Sequence, residues 1–137
     1  MNPLFQELSY AARRMIKAEN ELLKKFGITY SQWAFIVYLH HHPATPLVAA
    51  ARYYMIKKPA ITAMKNKFLE KGWICEETGR DQREKRISLT VKGQQHFTII
   101  NLHIRKLEID FFQILDAEEQ HQLQKMLSHI NQGEPSL

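Results

Sequence analysis

One short stretch of the chain changes its apolar periodicity, and this change limits the folds that are available. Residues 73–77 (WICEE) and 85–89 (KRISL) have strand character, with Ile87 and Leu89 alternating with polar residues. A polar, arginine-rich loop that contains Gly79 joins them. Elsewhere apolar residues recur at spacings of three and four, which indicates helices. The sequence therefore predicts a mainly α fold with one two-stranded β-hairpin.

Three helices are predicted in the first third of the chain. The first covers about 4–26 and ends at Gly27, because glycine is favoured where a helix stops. Thr29 begins the second helix, and TYSQ, residues 29–32, is a candidate capping box. Thr45 and Pro46 are expected to begin a short third helix as its N-cap and first-turn proline.

Three further helices surround the hairpin. The fourth is predicted to begin near Lys57–Pro59 and to end at Gly72. Thr90 is expected to cap a long fifth helix, and Asp116 with Glu119 forms a second capping box before the sixth. A helix–turn–helix followed by a hairpin is a winged helix. In such a module the second helix of the pair enters the major groove, and the hairpin loop can reach the neighbouring minor groove.

The excess positive charge of the chain lies in one segment. The 137 residues, which fit one domain, carry a formal net charge of +5. Residues 57–93 contain ten Lys or Arg and five Asp or Glu, so this segment accounts for all of that charge. Such clustering is typical of a polyanion-binding surface. A solvated charged face would show the same count, and this alternative stays open.

Three stretches resemble the multiple-antibiotic-resistance regulator (MarR) family. DQREKRISLTVKG resembles its wing signature, FLEKGWI the end of its recognition helix, and ITYSQWAFI the opening of its second helix. The resemblance covers essentially the whole chain. It implies a homodimeric transcription regulator, usually a repressor, whose terminal helices interlock between subunits. It also implies a small-molecule or redox effector that lowers the affinity for DNA.

The resemblance also implies that one domain, 1–137, contains two functional regions. Helices at about 1–27 and 94–132 would form the dimerisation region, and about 29–93 the winged helix–turn–helix. The apolar stripes of the terminal regions support this, because a monomer of this length has limited core in which to bury them. The residues expected at the dimer interface are Leu4, Leu8, Phe111, Leu123, Met126, Leu127 and Ile130.

The wing and the fourth helix supply the candidate DNA contacts. Arg83 is expected in the minor groove, where negative potential is focused, and Asp81 is expected to orient an arginine. On the helix, Thr62 and Asn66 are suited to reading base edges. The other expected contacts are Arg80, Lys85, Arg86, Lys58, Lys65 and Lys67 with phosphates, and Ala60 or Ala63 with a thymine methyl.

The start of the fourth helix departs from the family pattern. Family members commonly have Ser, Thr or Asp where this chain has Lys57, followed by Lys58. Lysine is a poor N-cap, and its charge opposes the helix dipole, at a cost on the order of 1 kcal/mol. Phosphates would neutralise both charges in a DNA complex.

Seven histidines raise the alternative of a zinc-responsive regulator. His40, His41 and His42 are consecutive, so on a helix they point about 100° apart. His96 and His103 share a face but lie two turns apart, and ligands spaced i and i+4 are missing. No metal or other cofactor is therefore expected.

Catalysis is not expected either. The sequence lacks GxSxG, HExxH, a phosphate-binding glycine loop and a dinucleotide fingerprint. Cys75 is the single cysteine, which favours a reducing cytoplasm, and its expected role is that of a small hydrophobe rather than a redox sensor. The remaining alternative is a winged helix that binds another protein and has no DNA role. The clustered charge and Arg83 favour DNA.

Overall fold

The computed structural model describes residues 1–79 and 84–133. Within these ranges the chain forms six α-helices, a short 3-10 turn and three strands. They are, in chain order, α1 (Pro3–Leu23), the 3-10 turn (Lys24–Phe26), α2 (Tyr30–His41), β1 (Thr45–Pro46), α3 (Leu47–Tyr54), α4 (Lys58–Lys71), β2 (Ile74–Thr78), β3 (Lys85–Leu89), α5 (Val91–Phe112) and α6 (Ala117–Gln132).

The predicted helix boundaries are confirmed where local chemistry sets them. In the capping box of α2, Gln32 N donates to Thr29 Oγ1 at 3.3 Å, and Thr29 N donates to Gln32 Oε1 at 3.0 Å. Asp116 caps α6 in the same way. Gly27 and Gly72 adopt left-handed φ angles of 74° and 75°, which stop the 3-10 turn and α4.

The predicted start of the third helix is wrong. Thr45 and Pro46 form β1, which pairs antiparallel with β3 through Thr45↔Ile87 and Pro46↔Arg86. Helix α3 begins one residue later, after Pro46, and has no side-chain cap. The backbone around Thr45 finds its partner in β3, so the side chain is not needed as a cap. The sheet therefore has three strands in the order β1-β3-β2, one more than the predicted hairpin.

The core lies between the helix–turn–helix, the sheet and α5. Phe35 of α2 and Phe68 of α4 are fully buried, with ring centroids 6.1 Å apart. Ile61 of α4, Ile87 of β3 and Ile100 of α5 are buried in the same cluster. Because Ile61 and Phe68 face this core, the opposite side of α4 faces outward.

A close approach fixes the wing against α5. Thr90 Oγ1 donates to the Gly72 carbonyl at 2.6 Å and accepts from Gly93 N at 3.1 Å, which confirms Thr90 as the cap of α5. A Cβ on Gly93 would collide with the backbone carbonyl of Trp73. Position 93 therefore requires glycine, and this packing sets the orientation of the hairpin relative to α5.

The terminal helices leave much apolar surface uncovered. Helix α1 packs along α5, and α6 contains no buried residue. In the described part of the chain, none of the helices combines the length and the apolar character needed to cross a bilayer.

Candidate nucleic-acid interface

The outward side of α4 carries the residues that the sequence selects for base contacts. Asn66 is exposed and Thr62 is half-buried. At the N-terminus, Lys57 is the N-cap and forms no side-chain capping bond, as expected for lysine. The other exposed candidates on this helix are Lys58, Ala60 and Ala63. Together these exposed polar and small side chains form a sterically open face, of the kind that suits a groove with exposed base edges.

Two lysines of α4 are held by acceptors of the protein itself. Lys65 Nζ lies 3.0 Å from Glu76 Oε1 on β2. Lys67 Nζ donates to Gln32 Oε1 of α2 at 3.0 Å. An ammonium group has three donors, so each lysine can still bind a phosphate, but neither swings freely.

The described part of the wing places its cations on two sides of β3. Lys85 is mostly exposed, with its Nζ 3.7 Å from Glu76 Oε2. Arg86, the next residue, donates to the Ala44 carbonyl at 3.0 Å and contacts Glu84 at 3.4 Å. Since neighbouring residues of a strand point to opposite faces, the two side chains leave β3 on different sides.

The predicted roles of Arg80, Asp81 and Arg83 lie outside the described residues. They stay predictions. The positions that flank this stretch are fixed, because Gly79 N donates to the Glu84 carbonyl at 2.8 Å.

A carboxylate that the sequence analysis did not single out lies among these cations. The hydrogen bond from Lys65 lowers the pKa of Glu76, and burial opposes it to a lesser degree. Glu76 therefore stays ionised at neutral pH. The signal available in the sequence was its place on β2: Ile74, Glu76 and Thr78 share a face, and this face meets α4.

Most histidines of the described residues pack against aromatic rings. The His40 ring stacks on Phe97 with centroids 3.9 Å apart, and its Nδ1 lies 3.0 Å from Gln94 Oε1. His96 stacks on Trp73 at 4.3 Å. Within residues 1–79 and 84–133, no group of three or more His, Cys, Asp or Glu is placed to hold a metal ion. Cys75 is half-buried on β2.

A second group missed by the sequence analysis lies between α1 and α5. Glu19 is only 4% exposed. Its burial, reinforced by the nearby Glu108 carboxyl, raises its pKa to about 7. Burial also raises the pKa of Glu108, against the opposing effect of Arg105. Glu19 falls on the same helix face as Met15 and Leu23, a spacing that indicates an inward position.

The expected dimer residues differ in exposure within one chain. Leu4, Leu8, Met126 and Ile130 are exposed, and Phe111, Leu123 and Leu127 are half-buried. Other large apolar side chains on the terminal helices are also exposed, and they include Phe5, Ile99, Leu102 and Ile109.

The chain is similar in sequence to known regulators, although no protein-family model matches it. It is 29% identical over 105 residues to the uncharacterized HTH-type transcriptional regulator YwoH of Bacillus subtilis, a match that covers 77% of each protein. It is 28% identical over 124 residues to an uncharacterized HTH-type transcriptional regulator of Staphylococcus aureus, covering 88% of this chain and 82% of that protein.

Solved structures decide the fold. MarR from E. coli in its apo form superposes with a TM-score of 0.82 at 20% identity, covering 95% of this chain and 97% of that one. The chain has the MarR fold. The transcriptional regulator PA4135 superposes with a TM-score of 0.89 at 23% identity, covering 98% and 100%. The resemblance to MarR proteins thus extends to the fold, and the relatives matched by sequence are transcriptional regulators.

The MarR fold is also present in a protein–DNA complex. A mutant MarR from E. coli in complex with operator DNA superposes with a TM-score of 0.82, covering 93% of each chain. In the MarR fold of this protein, α4 and the β2–β3 wing lie side by side, linked through the Lys65–Glu76 contact.

Proposed function

We propose that this protein is a DNA-binding transcription regulator that acts as a homodimeric repressor on an inverted-repeat operator and is released by a small-molecule effector. The observation that carries the proposal is the outward face of α4. Its polar residues lie beside the wing, within the segment that holds the whole excess positive charge. A mutant MarR with the same fold forms a complex with operator DNA, which supports DNA binding by this chain.

In the proposed complex α4 enters the major groove. Asn66 and Thr62 then face base edges, and an amide or hydroxyl can donate and accept there. Lys58 lies at the uncapped start of the helix, where backbone N–H groups and the helix dipole also attract a phosphate. Asn66 would thus supply sequence preference, and Lys58 affinity.

The homodimer is supported by the apolar side chains that one chain leaves exposed. In α6, Met126 and Ile130 are 58% and 65% exposed. A second copy that covers these side chains would bury them and hold two α4 helices at a fixed distance. Release by an effector is inferred from the family resemblance.

Salt-dependent binding to duplex DNA tests the proposal. Binding of the purified chain to duplex should weaken steeply as salt rises, because each phosphate contact releases condensed counterions. A protein-interaction module without a DNA role would show no such binding. Absence of duplex binding at about 50 mM salt would refute the proposal.

The zinc-responsive alternative has its own test. Elemental analysis of the purified protein and a zinc titration of its duplex binding would decide it. Stoichiometric zinc that changes the affinity for duplex would favour this alternative over an organic effector.

A further inference from the structure

Glu76 joins the two parts of the candidate DNA interface. Its Oε1 lies 3.0 Å from Lys65 Nζ on α4, and its Oε2 lies 3.7 Å from Lys85 Nζ at the start of β3. The strand register makes this possible: Glu76 is opposite Ile87, so Lys85 is its diagonal neighbour on the same face. One carboxylate thus connects the recognition helix with the wing.

The two ends of this bridge differ in their exposure to water. The side chains of Lys65 and Glu76 are each 19% exposed, whereas that of Lys85 is 69% exposed. Dissolved salt therefore weakens the Lys65–Glu76 ion pair less than the Lys85–Glu76 pair, and Lys65 holds the carboxylate in place. The Lys85 end is looser and closer to the solvent that DNA would replace.

We infer that Glu76 is a specificity-determining residue of the DNA interface, which bridges Lys65 and Lys85 and so lowers non-specific binding more than operator binding. The inference rests on the proposed DNA-binding function. Non-specific affinity comes almost entirely from cations that neutralise phosphates, and Glu76 competes with phosphates for two such cations. Operator binding also depends on the position of α4 relative to the wing, which the bridge holds before DNA arrives.

The variant Glu76→Gln tests the inference, with Glu77→Gln as a matched control. Both remove one negative charge from β2, but Glu77 is exposed and forms no ion pair within 4 Å among the described residues. Each variant is titrated at several salt concentrations against two duplexes. One is an operator selected by the parent protein from a random-sequence pool, and the other has the same composition in scrambled order.

Glu76→Gln should bind the scrambled duplex more tightly and the operator no better than the parent. We expect the ratio of the two affinities to fall on the order of tenfold, and the salt dependence to steepen because two freed ammonium groups become available to phosphates. Glu77→Gln should keep the parent ratio. Equal ratios in the two variants would overturn the inference while leaving the proposed function intact.

Two further results separate the possible failures. If the parent protein does not bind duplex at all, the proposed function and this inference fail together. If Glu76→Gln does not fold, Glu76→Asp keeps the charge but is one methylene shorter, so it cannot reach both lysines. Its affinity ratio should then fall severalfold, with a smaller steepening of the salt dependence because only one ammonium group is freed, and an unchanged ratio would contradict the inference.

Discussion

Most of the cationic side chains at the candidate interface already contact an acceptor of the protein itself. Lys65 is bound to Glu76, Lys67 to Gln32, and Arg86 to the Ala44 carbonyl. Lys58 differs, because it is exposed and takes part in none of the ion pairs of the described residues. A count of cations therefore overstates the number of contacts that can form without rearrangement.

Two substitutions on α4 should separate affinity from sequence preference. Lys58→Ala should weaken binding to operator and scrambled duplex alike, and should lower the salt slope by about one per subunit. Asn66→Ala should cost about 1–3 kcal/mol on the operator and leave the salt slope unchanged. Titrations of both variants against both duplexes would measure this. The opposite pattern would mean that α4 does not lie in the major groove as proposed.

Glu19 should make the stability of the protein depend on pH. In the folded state its pKa is about 7, against an ordinary value of 4.5, so the folded state binds a proton that the unfolded chain releases between these values. The contribution of Glu19 to the free energy of unfolding is therefore fully present below about pH 4.5 and is lost as the pH rises through 7. At about 1.4 kcal/mol per pH unit, the total loss is on the order of 3 kcal/mol.

Glu19→Gln should remove most of this decline, leaving the smaller contribution of Glu108. Urea unfolding between pH 5 and 8, at one protein concentration, would measure it. The exposed Glu21 on the same helix provides the control, and Glu21→Gln should keep the parent profile. A parent protein that grows more stable from pH 5 to 8 would contradict the assignment.

At the scale of elements, predictability follows the range of the interactions. The N-terminal ends of α2 and α6 are set by capping side chains three residues apart, such as Thr29 and Gln32. The sequence predicts both of these helix starts. Strand β1 forms because Thr45 pairs with Ile87, which is distant in the sequence. The local pattern of Thr45 and Pro46 therefore gave a wrong helix start. Glu76 and Glu19 were missed for the same reason, since their partners lie on other elements.

The junction of the wing with α5 should tolerate no side chain at position 93. In Gly93→Ala the added Cβ would collide with the Trp73 carbonyl, which cannot move without displacing β2. We expect a loss of stability of at least about 3 kcal/mol, or no folded protein. Gly27→Ala is the control, because its Cβ meets no atom within 4 Å and only the left-handed φ of 74° is strained. It should cost about 1 kcal/mol in thermal or urea unfolding, and similar losses in both variants would refute the close approach.

At the scale of the whole molecule, the proposed regulator consists of two copies of the chain. Met126→Glu combined with Ile130→Glu should give a folded monomer that no longer binds operator tightly, because neither side chain is buried within one chain. Gln124→Glu with Ser128→Glu adds the same charge on another, exposed side of α6 and should leave a dimer. Sedimentation would compare the two. A Met126/Ile130 variant that stays dimeric would place the interface elsewhere.

A hydroxyl-radical footprint on the selected operator would show whether two copies bind DNA through α4 and the wing. We expect two protected half-sites related by dyad symmetry, with centres about 34–36 Å apart, or one turn of DNA. Minor-groove protection should flank them and should be lost in Arg83→Ala. A footprint without dyad symmetry, or one confined to a single half-site at saturating protein, would rule out binding by two symmetric copies.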